Sequence, residues 1–401
     1  MQKKSISERG QALILITLAM IGLIGFTALT IDGGMAFSDK RHAQNAADTA
    51  AFAAALAKIH DDDWVTLALE RAEVNGYKND EQTAVHVLCP PESGQYAGND
   101  EYVQVIIEST VKTTFTRVLG REQINNRVEA VTHVTPEKIA PLYDGAAMVS
   151  LKPDGRGAFR SHGTNITSII GSGIFVNSDN GCAFEQIGNS VIDTPTGIQI
   201  VGNACMNGSI TPATIITTGT SAVAYPPTNL PPEPICSQDA IQYGDTLTSG
   251  NWADTFPPRG VTHLSPGIYC VDGTFMVNAN EVLTGDEVLI YMHSGNVHWD
   301  GNAQINLTAM QSGPYAGLLI YLPLSNDDGV IVNGNSDSSF VGTFLAPSSD
   351  IQVNGIAGAD GYSSQFIGYT IDLIGTADLT LNYDQTENLL VEYPPTLELV
   401  K

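Results

Sequence analysis

The longest uncharged stretch of the chain lies close to its start. Residues 12–31, ALILITLAMIGLIGFTALTI, contain 20 residues without one charge, from Ala12 to Ile31. At 1.5 Å of rise per residue, a helix of that length covers about 30 Å, the thickness of the hydrocarbon core of a bilayer. The sequence therefore predicts a transmembrane helix over residues 11–32.

The charges on either side of this stretch predict its orientation. Lys3, Lys4 and Arg9 precede it, and Asp32 follows it. The positive-inside rule then places residues 1–10 in the cytoplasm as a basic leader and exports everything after the helix. We expect a single-pass membrane protein whose bulk is extracytoplasmic or on the cell surface.

Length argues that the helix is retained. The apolar region of a secretory signal peptide is usually shorter, roughly 7 to 15 residues, and ends at a small-x-small cleavage site. The best such site here, Gly34-x-Ala36, lies well beyond the apolar stretch. A permanent anchor is favoured over a cleaved leader.

Charge and composition exclude one class of partner. The formal net charge is -25, and after Pro141 there are five Lys and Arg against 25 Asp and Glu. The part after Pro141 therefore repels nucleic acid and anionic lipid. The 39 Gly and 20 Pro, with 43% hydrophobic residues, are typical of a turn-rich β protein with a sizeable core.

An alanine-rich segment follows the apolar stretch. Residues 33–60 are dominated by Ala, the best helix former, and predict a helix that continues the membrane span beyond Gly33 and Gly34. Its narrow surface suits close packing, either on the protein's own sheet or against a helix of another subunit. Both alternatives remain open from the sequence.

Residues 83–135 predict a small sheet. TAVHVLCP, EYVQVIIEST and NRVEAVTHVT alternate apolar and polar residues, as half-buried strands do. TTFTRVLGR, residues 113–121, predicts a short helix that ends at Gly120. The helix and these strands predict an α+β, pilin-like unit over residues 33–135.

The N-terminal segment resembles the TadE/TadG-like proteins of the Flp (tight adherence) pilus assembly system. The resemblance rests on the Arg-Gly-Gln before the apolar stretch, the Asp-Gly pair after it and QNAADTAAFAAA. It is close over about 50 residues and looser to about residue 135. It implies membrane anchoring and an exported, variable C-terminal region. Pilins carry Glu where this chain has Leu15, so the resemblance does not extend to the pilin pattern for processing after Gly10.

Residues 146–401, after a predicted linker at 136–145, predict a mainly β domain. Apolar segments punctuated by Asn-Gly recur, and their equivalent positions are Val176, Val201, Val277, Trp299, Val332, Val353 and Leu373. Most intervals are 20 to 25 residues, as in a parallel β-solenoid, and the 76-residue interval has room for about three coils. A β-sandwich is the alternative. This region resembles, more weakly, the Asn-Gly-rich β regions of some TadG-related exported proteins.

The Pro-rich segment YPPTNLPPEPICS, residues 225–237, is interpreted as a loop or an extended excursion.

Five cysteines fit an oxidising compartment. Cys182 and Cys205 are 23 residues apart, which is one predicted coil and places them about 4.8 Å apart on stacked strands, within disulfide range. Cys236 and Cys270 form the natural second pair, and Cys89 is left over. The spacing of the five does not match a zinc site.

Catalytic chemistry is not predicted, and neither a metal nor a cofactor is. The acidic candidates on a solenoid face are either adjacent pairs or isolated: Asp286, Glu287, Asp300, Asp327 and Asp328. His293 and His298 lie five residues apart across a predicted turn and do not converge as ligands. Acidic turns such as SDNG favour Asx turns over a calcium site.

Two functions of different classes remain. The first is a structural component of a Flp-type pilus or a related surface apparatus, with the bilayer and other pilus or envelope proteins as partners and a role in adhesion. The second is an anchored carbohydrate-binding or carbohydrate-active β-helix protein, with surface polysaccharide as its partner. We expect no enzyme activity, because the acidic residues do not converge in the sequence pattern.

Overall fold

The computed structural model describes residues 9–211, 214–333, 337–356 and 362–401. It forms two compact units, one of residues 1–138 with 394–401 and the other of residues 139–393. Lys3 and Lys4 of the predicted leader lie outside the described residues, and Arg9 is the first residue of the first helix. The long helix belongs to the first unit, and the solenoid is the second.

The chain has two α-helices and thirty strands within the described residues. In chain order they are α1 (Arg9–Ile59), α2 (Trp64–Val74), β1 (Thr83–Leu88), β2 (Tyr102–Lys112), β3 (Gln123–Thr135), β4 (Lys138–Pro141), β5 (Met148–Ser150), β6 (Phe159–Gly163), β7 (Ile166–Ile170), β8 (Ile174–Val176), β9 (Phe184–Gly188), β10 (Val191–Asp193), β11 (Ile198–Ile200), β12 (Ala204–Met206), β13 (Ser209–Ile210), β14 (Ile216–Thr218), β15 (Gln242–Tyr243), β16 (Thr246–Leu247), β17 (Gly250–Ala253), β18 (His263–Leu264), β19 (Gly267–Asp272), β20 (Phe275–Val277), β21 (Val282–Gly285), β22 (Val288–Ser294), β23 (Val297–Trp299), β24 (Gln304–Thr308), β25 (Leu318–Tyr321), β26 (Val330–Asn333), β27 (Ser339–Ile356), β28 (Ser363–Asn382), β29 (Leu390–Tyr393) and β30 (Thr396–Leu399). Short 3-10 helices occupy Thr116–Leu119, Leu142–Gly145 and Gln385–Glu387.

Helix α1 runs without interruption through Gly33 and Gly34. Its second half buries a stripe of alanines, from Ala43 to Ala55, against the sheet and against α2. Because alanine projects only a methyl group, helix and sheet approach closely there. Of the two alternatives left by the sequence, the structure has the helix packed on its own sheet. Helix α2 was not predicted from the sequence. Its N-cap is Asp63, whose carboxylate accepts from the Thr66 N–H.

The sheet of the first unit has the order β1-β2-β3-β30. Its neighbours are antiparallel, and β3 pairs with β30 from Thr132↔Leu399 to Thr135↔Thr396. The last strand of the chain therefore belongs to the α+β unit, whereas the sequence analysis included it in the solenoid. The strand joins this sheet because Leu397, which lies between two polar residues, packs on the alanine core of the first unit. The solenoid is an insertion between β3 and β30.

The second unit is a parallel β-solenoid of about 10 turns. Strands of successive coils stack in parallel, as β8 does on β5 and β11 does on β8. Each complete coil has three strands, and the long strands β27 and β28 each pass through all three sheets. The predicted solenoid is confirmed over the predicted sandwich.

The order of the coils in space differs from their order in the chain. The first coil, β5 to β7, stacks on β28, which is the last coil. From there the chain builds outward to β14 at one end. It then crosses to β15 and β16 at the opposite end and builds back to β28 in the middle. The interval of 76 residues thus holds this crossing as well as coils.

Residues 219–238 make the crossing along the outside of the solenoid, and we call them the strap. Three side chains of the solenoid hold the strap. The Asn177 amide exchanges hydrogen bonds with the backbone of Val223. The Tyr321 hydroxyl donates to the Pro231 carbonyl at 3.3 Å, and the Tyr291 hydroxyl donates to Glu233 at 2.7 Å. It covers the outer side of one sheet, which we call the covered face and which includes β5, β8, β19, β22 and β25. Because this sheet is buried on both sides, its strand segments VLIYM (residues 288–292) and LLIYL (residues 318–322) are continuously apolar.

Aromatic rings fill the interior of the solenoid. Trp299 contacts Phe275, Phe340 and Phe344 at ring-centroid distances of 5.4 to 5.7 Å, in edge-to-face geometry. Such contacts between fully buried rings add to the area they remove from water. The interior is one continuous apolar core along the stack.

Candidate functional site

The apolar segment of α1 lies outside the core of the protein. Leu13 and Phe26 expose 70% and 75% of their surface, and the other large side chains of residues 12–31 are exposed as well. The hydroxyls of Thr17, Thr27 and Thr30 donate to the carbonyls four residues earlier at 2.8 to 2.9 Å, so these polar atoms need no water. Within the described residues, one helix is long and apolar enough to cross a membrane, and this is that helix.

Asp32 joins the end of this segment to the sheet. Its carboxylate accepts from the backbone N–H groups of Thr114, Phe115 and Thr116 at 2.9, 3.0 and 2.6 Å. The residue is 1% exposed, and Ala28, one turn earlier, is 7% exposed. Burying a carboxylate is costly unless hydrogen bonds satisfy it, and here three donors do so. The contact fixes the loop after β2 beside the last turn of the apolar segment.

A second carboxylate fixes the helix to the sheet two turns later. Asp39 accepts from the Tyr77 hydroxyl at 3.0 Å and from the Asn126 amide at 2.7 Å, and the Ser109 hydroxyl donates to it as well. Burial and the neighbouring Asp39 carboxylate raise the pKa of Tyr77 well above its usual value. Tyr77 therefore stays a neutral donor at physiological pH. The Asp32 and Asp39 contacts make α1 and the sheet one unit.

The acidic candidates on the solenoid are not brought together. Asp286, Glu287, Asp327 and Asp328 lie exposed in turns between strands, and Glu287 has a positive φ of 54°. Asp300 instead contacts His298 at 3.1 Å. His293 contacts Asp272 at 2.7 Å, and this hydrogen bond lowers the pKa of the Asp272 carboxyl. Among the described residues, no three His, Cys, Asp or Glu side chains are grouped to hold a metal ion.

Two arginines of the solenoid, Arg156 and Arg160, lie where the first coil meets the last. Arg160 on β6 is the register partner of Asp372 on β28 and of Glu185 on β9. The Arg160 Nε lies 3.6 Å from Glu185, and Arg156 Nε donates to Glu185 at 2.9 Å. The Arg156 hydrogen bond holds the pKa of the Glu185 carboxyl below its usual value. This cluster could not be predicted from the sequence, because Arg160 and Asp372 are more than 200 residues apart in the chain.

A cleft of about 410 Å³ lies beside this cluster. It crosses the sheet of β6, β26, β27 and β28, which we call the open face. Outward side chains follow one another across it in register, from Ile331 to Gln352, Asp372 and Arg160. Lys152, Asp350 and Tyr369 are among the other residues that line it. The cleft therefore offers donors and acceptors at strand spacing, about 4.8 Å.

A second cleft of about 410 Å³ opens beside the start of the strap. Tyr143 and Phe175 line it with nearly parallel rings whose centroids are 6.3 Å apart. Tyr143 and Asp144 both have a φ of 53°, which is rare for residues with a Cβ. This cleft is less polar than the first, and its aromatic side chains belong to the core beneath the strap.

Two disulfides fasten the ends of the solenoid. Cys182 is bonded to Cys205 on the next coil, with Cα atoms 5.0 Å apart, and Cys236 of the strap is bonded to Cys270 of β19, with Cα atoms 6.0 Å apart. The first pair is the one that the coil spacing predicts, and the second is the remaining pair proposed from the sequence. Cys89 is a free cysteine, and its sulfur lies 2.9 Å from the Lys58 ammonium.

Comparison with known proteins bears on the first unit. Residues 10–57 match the family model described as Flp pilus-assembly TadE/G-like. The matched TadE/G-like segment begins one residue after α1 starts and includes the exposed apolar stretch, the Asp32 and Asp39 contacts and the alanine stripe. Searches of curated proteins and of solved structures found no match. The site that the family match supports is therefore the anchor helix and its junction with the sheet.

Proposed function

We propose that this protein is a membrane-anchored component of a Flp-type pilus or a related surface apparatus, with its N-terminus in the cytoplasm and its bulk exported. One observation carries the proposal: the TadE/G-like segment coincides with a helix that is apolar and exposed over residues 12–31 and packed on its own sheet immediately afterwards. Arg9 before the segment and the large acidic excess after it support this orientation.

The proposed role is structural and needs no chemistry. The α+β unit docks other exported subunits, and the solenoid projects a long surface for adhesion. The acidic candidates lie in exposed turns or beside a histidine and do not converge on one site, which supports a binding role over an enzymatic one. The proposed partners are the bilayer, other pilus or envelope proteins and, for the solenoid, surface polysaccharide.

Complementation of a deletion strain tests the pilus role. A control variant replaces residues 12–31 with an unrelated apolar span of the same length, and a test variant replaces residues 1–31 with a cleavable secretion signal, so that both keep Asp32. We expect the control variant to restore surface fibres, and the secreted form to fail because it has lost its anchor. Normal fibres in the deletion strain itself would contradict the pilus role.

A second candidate function is saccharide binding, which the cleft on the open face supports. Gln352, Asp372 and Arg160 present planar polar groups in a row, and such groups bond vicinal hydroxyls. We expect the intact protein to bind a subset of an array of bacterial and host polysaccharides. Replacing Arg160 and Gln352 by Ala should weaken that binding roughly tenfold or more, because each loses a hydrogen-bonding group. The control is Arg259→Ala, an exposed arginine outside the cleft.

A further inference from the structure

The loop between β2 and β3, residues 113–121, lies level with the end of the apolar segment. The Asp32 carboxylate bonds the backbone of Thr114, Phe115 and Thr116 directly, and Asp32 follows Ile31, the last residue of the uncharged stretch. Ala28, inside that stretch, is already buried. The α+β unit thus begins to cover the helix one turn before the uncharged stretch ends.

This geometry sets the depth of the loop. If residues 12–31 fill the hydrocarbon core, residue 32 lies at the boundary between acyl chains and headgroups. The backbone at Phe115 is held within hydrogen-bonding distance of Asp32, so it lies at the same boundary. Contacts from the Asp32 carboxylate to three consecutive backbone N–H groups leave the loop little freedom to move along the helix.

The loop has the side chains that suit this boundary. Phe115 is 39% exposed, and Lys112, Arg117 and Arg121 are exposed beside it. Glu122 faces Arg117 at 3.8 Å, but both side chains are largely exposed, so this ion pair contributes little and leaves the arginine available. An aromatic ring among basic residues is typical of a segment at a membrane surface, where the cations meet lipid phosphates. Residues 112–122 thus carry three cations and one carboxylate, in a chain whose net charge is -25.

We propose that residues 113–121 form a second membrane contact, in which Phe115 enters the boundary between headgroups and acyl chains and Arg117 and Arg121 bind lipid phosphate groups. This inference rests on the proposed function, since it requires α1 to span the bilayer. The contact holds the α+β unit against the membrane surface at two points, the helix and the loop. The unit cannot then tilt freely about Gly33.

Depth-dependent quenching of tryptophan fluorescence tests this contact. The full chain is placed in phosphatidylcholine vesicles whose lipids carry bromine high on the acyl chains, with tryptophan introduced as Phe115→Trp. The control is Val74→Trp, an exposed position at the end of α2, where the next residue, Asn75, contacts Thr49 and so lies far along α1 from the membrane. We expect the fluorescence of F115W to be quenched by the brominated lipids roughly twice as much as that of the unchanged protein. V74W should show no added quenching, because interfacial burial extends only about 5–10 Å.

A third variant separates failure of this inference from failure of the anchor. Leu23→Trp places the probe in the middle of the apolar segment, and lipids brominated deep in the acyl chain should quench it. Quenching of L23W without quenching of F115W overturns the loop contact and leaves the anchor intact. Absence of quenching at both positions overturns both the loop contact and the anchor. If F115W alone is unquenched, the loop is directed to a protein partner instead.

The arginines are tested by lipid charge. Adding phosphatidylglycerol should increase the quenching of F115W, and high salt should reverse the increase by screening. The variant with Arg117→Gln and Arg121→Gln in the F115W background should lose this lipid dependence, whereas Arg71→Gln, an exposed arginine on α2, should keep it. Equal lipid dependence in all three proteins would overturn the role of the arginines.

Discussion

Met148, in the first strand of the solenoid, is the parallel register partner of Phe366, in the last. The first coil therefore acquires one of its two neighbours only when the chain has reached β28. Long-range pairing of this kind costs loop-closure entropy before it brings contacts. The two ends of the solenoid domain meet at its middle, and β4 and β29 pair there as a two-stranded sheet. This arrangement suits a domain inserted between two strands of another.

The α+β unit should fold without the solenoid. Thr135 and Thr396 are register partners on β3 and β30, so residues 136–395 can be replaced by an Asn-Gly turn, which suits a two-residue hairpin. We expect a membrane-bound protein with a cooperative thermal transition and mixed helix and strand circular dichroism. The matched control ends the chain at Thr135 and so lacks β30, which leaves Leu397 out of the core. Equal stability of the two proteins would contradict the assignment of β30 to this sheet.

The sequence predicts coils well where they follow one another in the chain. Val277 pairs with Trp299, and Val353 pairs with Val332 and Leu373, all on the open face. These side chains point inward at successive levels, so their spacing reports the length of a coil. The periodicity of buried residues thus survives in the sequence.

Val176 and Val201, which the sequence predicts to be equivalent to these residues, do not lie on the open face with them. Val176 lies on the covered face, and its register partner on the next coil is Ile200, one residue before Val201. A one-residue shift moves a side chain to the other side of a sheet. The order of the coils could not be predicted, because spacing does not record which coil stacks on which.

In the candidate sites, too, local features could be predicted from the sequence and features that depend on the stacking of distant coils could not. Residues 12–31 and Asp32 were identifiable, because an uncharged stretch and the charge after it are local features. The cluster of Arg160, Glu185 and Asp372 was not, because it depends on the stacking of the first coil on the last.

The strap disulfide should contribute strongly to the stability of the solenoid. The variant with Cys236→Ser and Cys270→Ser should lose about 2–4 kcal/mol in free energy of unfolding, because the bond restricts the unfolded chain. Urea unfolding followed by circular dichroism measures the change. The control is Cys89→Ser, the free cysteine, and a loss of the same size in that variant would contradict this assignment.

Removal of the central ring of the core should be costly. Trp299 is fully buried among three phenylalanines, so Trp299→Ala should reduce the free energy of unfolding by about 3–5 kcal/mol. Ile235→Ala, at a strap residue that is 92% exposed, should change it by less than about 0.5 kcal/mol. Urea unfolding checks both, and similar effects in the two variants would contradict the assigned core.

The cluster where the first coil meets the last should give the solenoid a dependence on pH. The pKa of Glu185 is lowered in the folded state, so its contribution is present above the unfolded pKa and is lost as pH falls through the folded value. Glu185→Gln should therefore destabilise the protein at pH 7, and its difference from the unchanged protein should shrink as pH falls from 7 toward 3 and protonation of Glu185 removes the ion pair. Thermal unfolding across this range measures the difference, with Glu392→Gln, at an exposed position, as the control. A difference that is equal at both pH values would contradict the ion-pair explanation.

Sidedness of the membrane helix is measured most directly by labelling single cysteines in spheroplasts with a membrane-impermeant maleimide. In a Cys89→Ser background, Val74→Cys provides an exposed position in the α+β unit, and Ser5→Cys provides one in the basic leader. The account predicts that V74C is labelled in intact spheroplasts and that S5C is labelled only after detergent is added. Labelling of S5C without detergent, or recovery of a soluble form that begins near Gln11 or Phe37, would contradict a retained anchor with an exported solenoid.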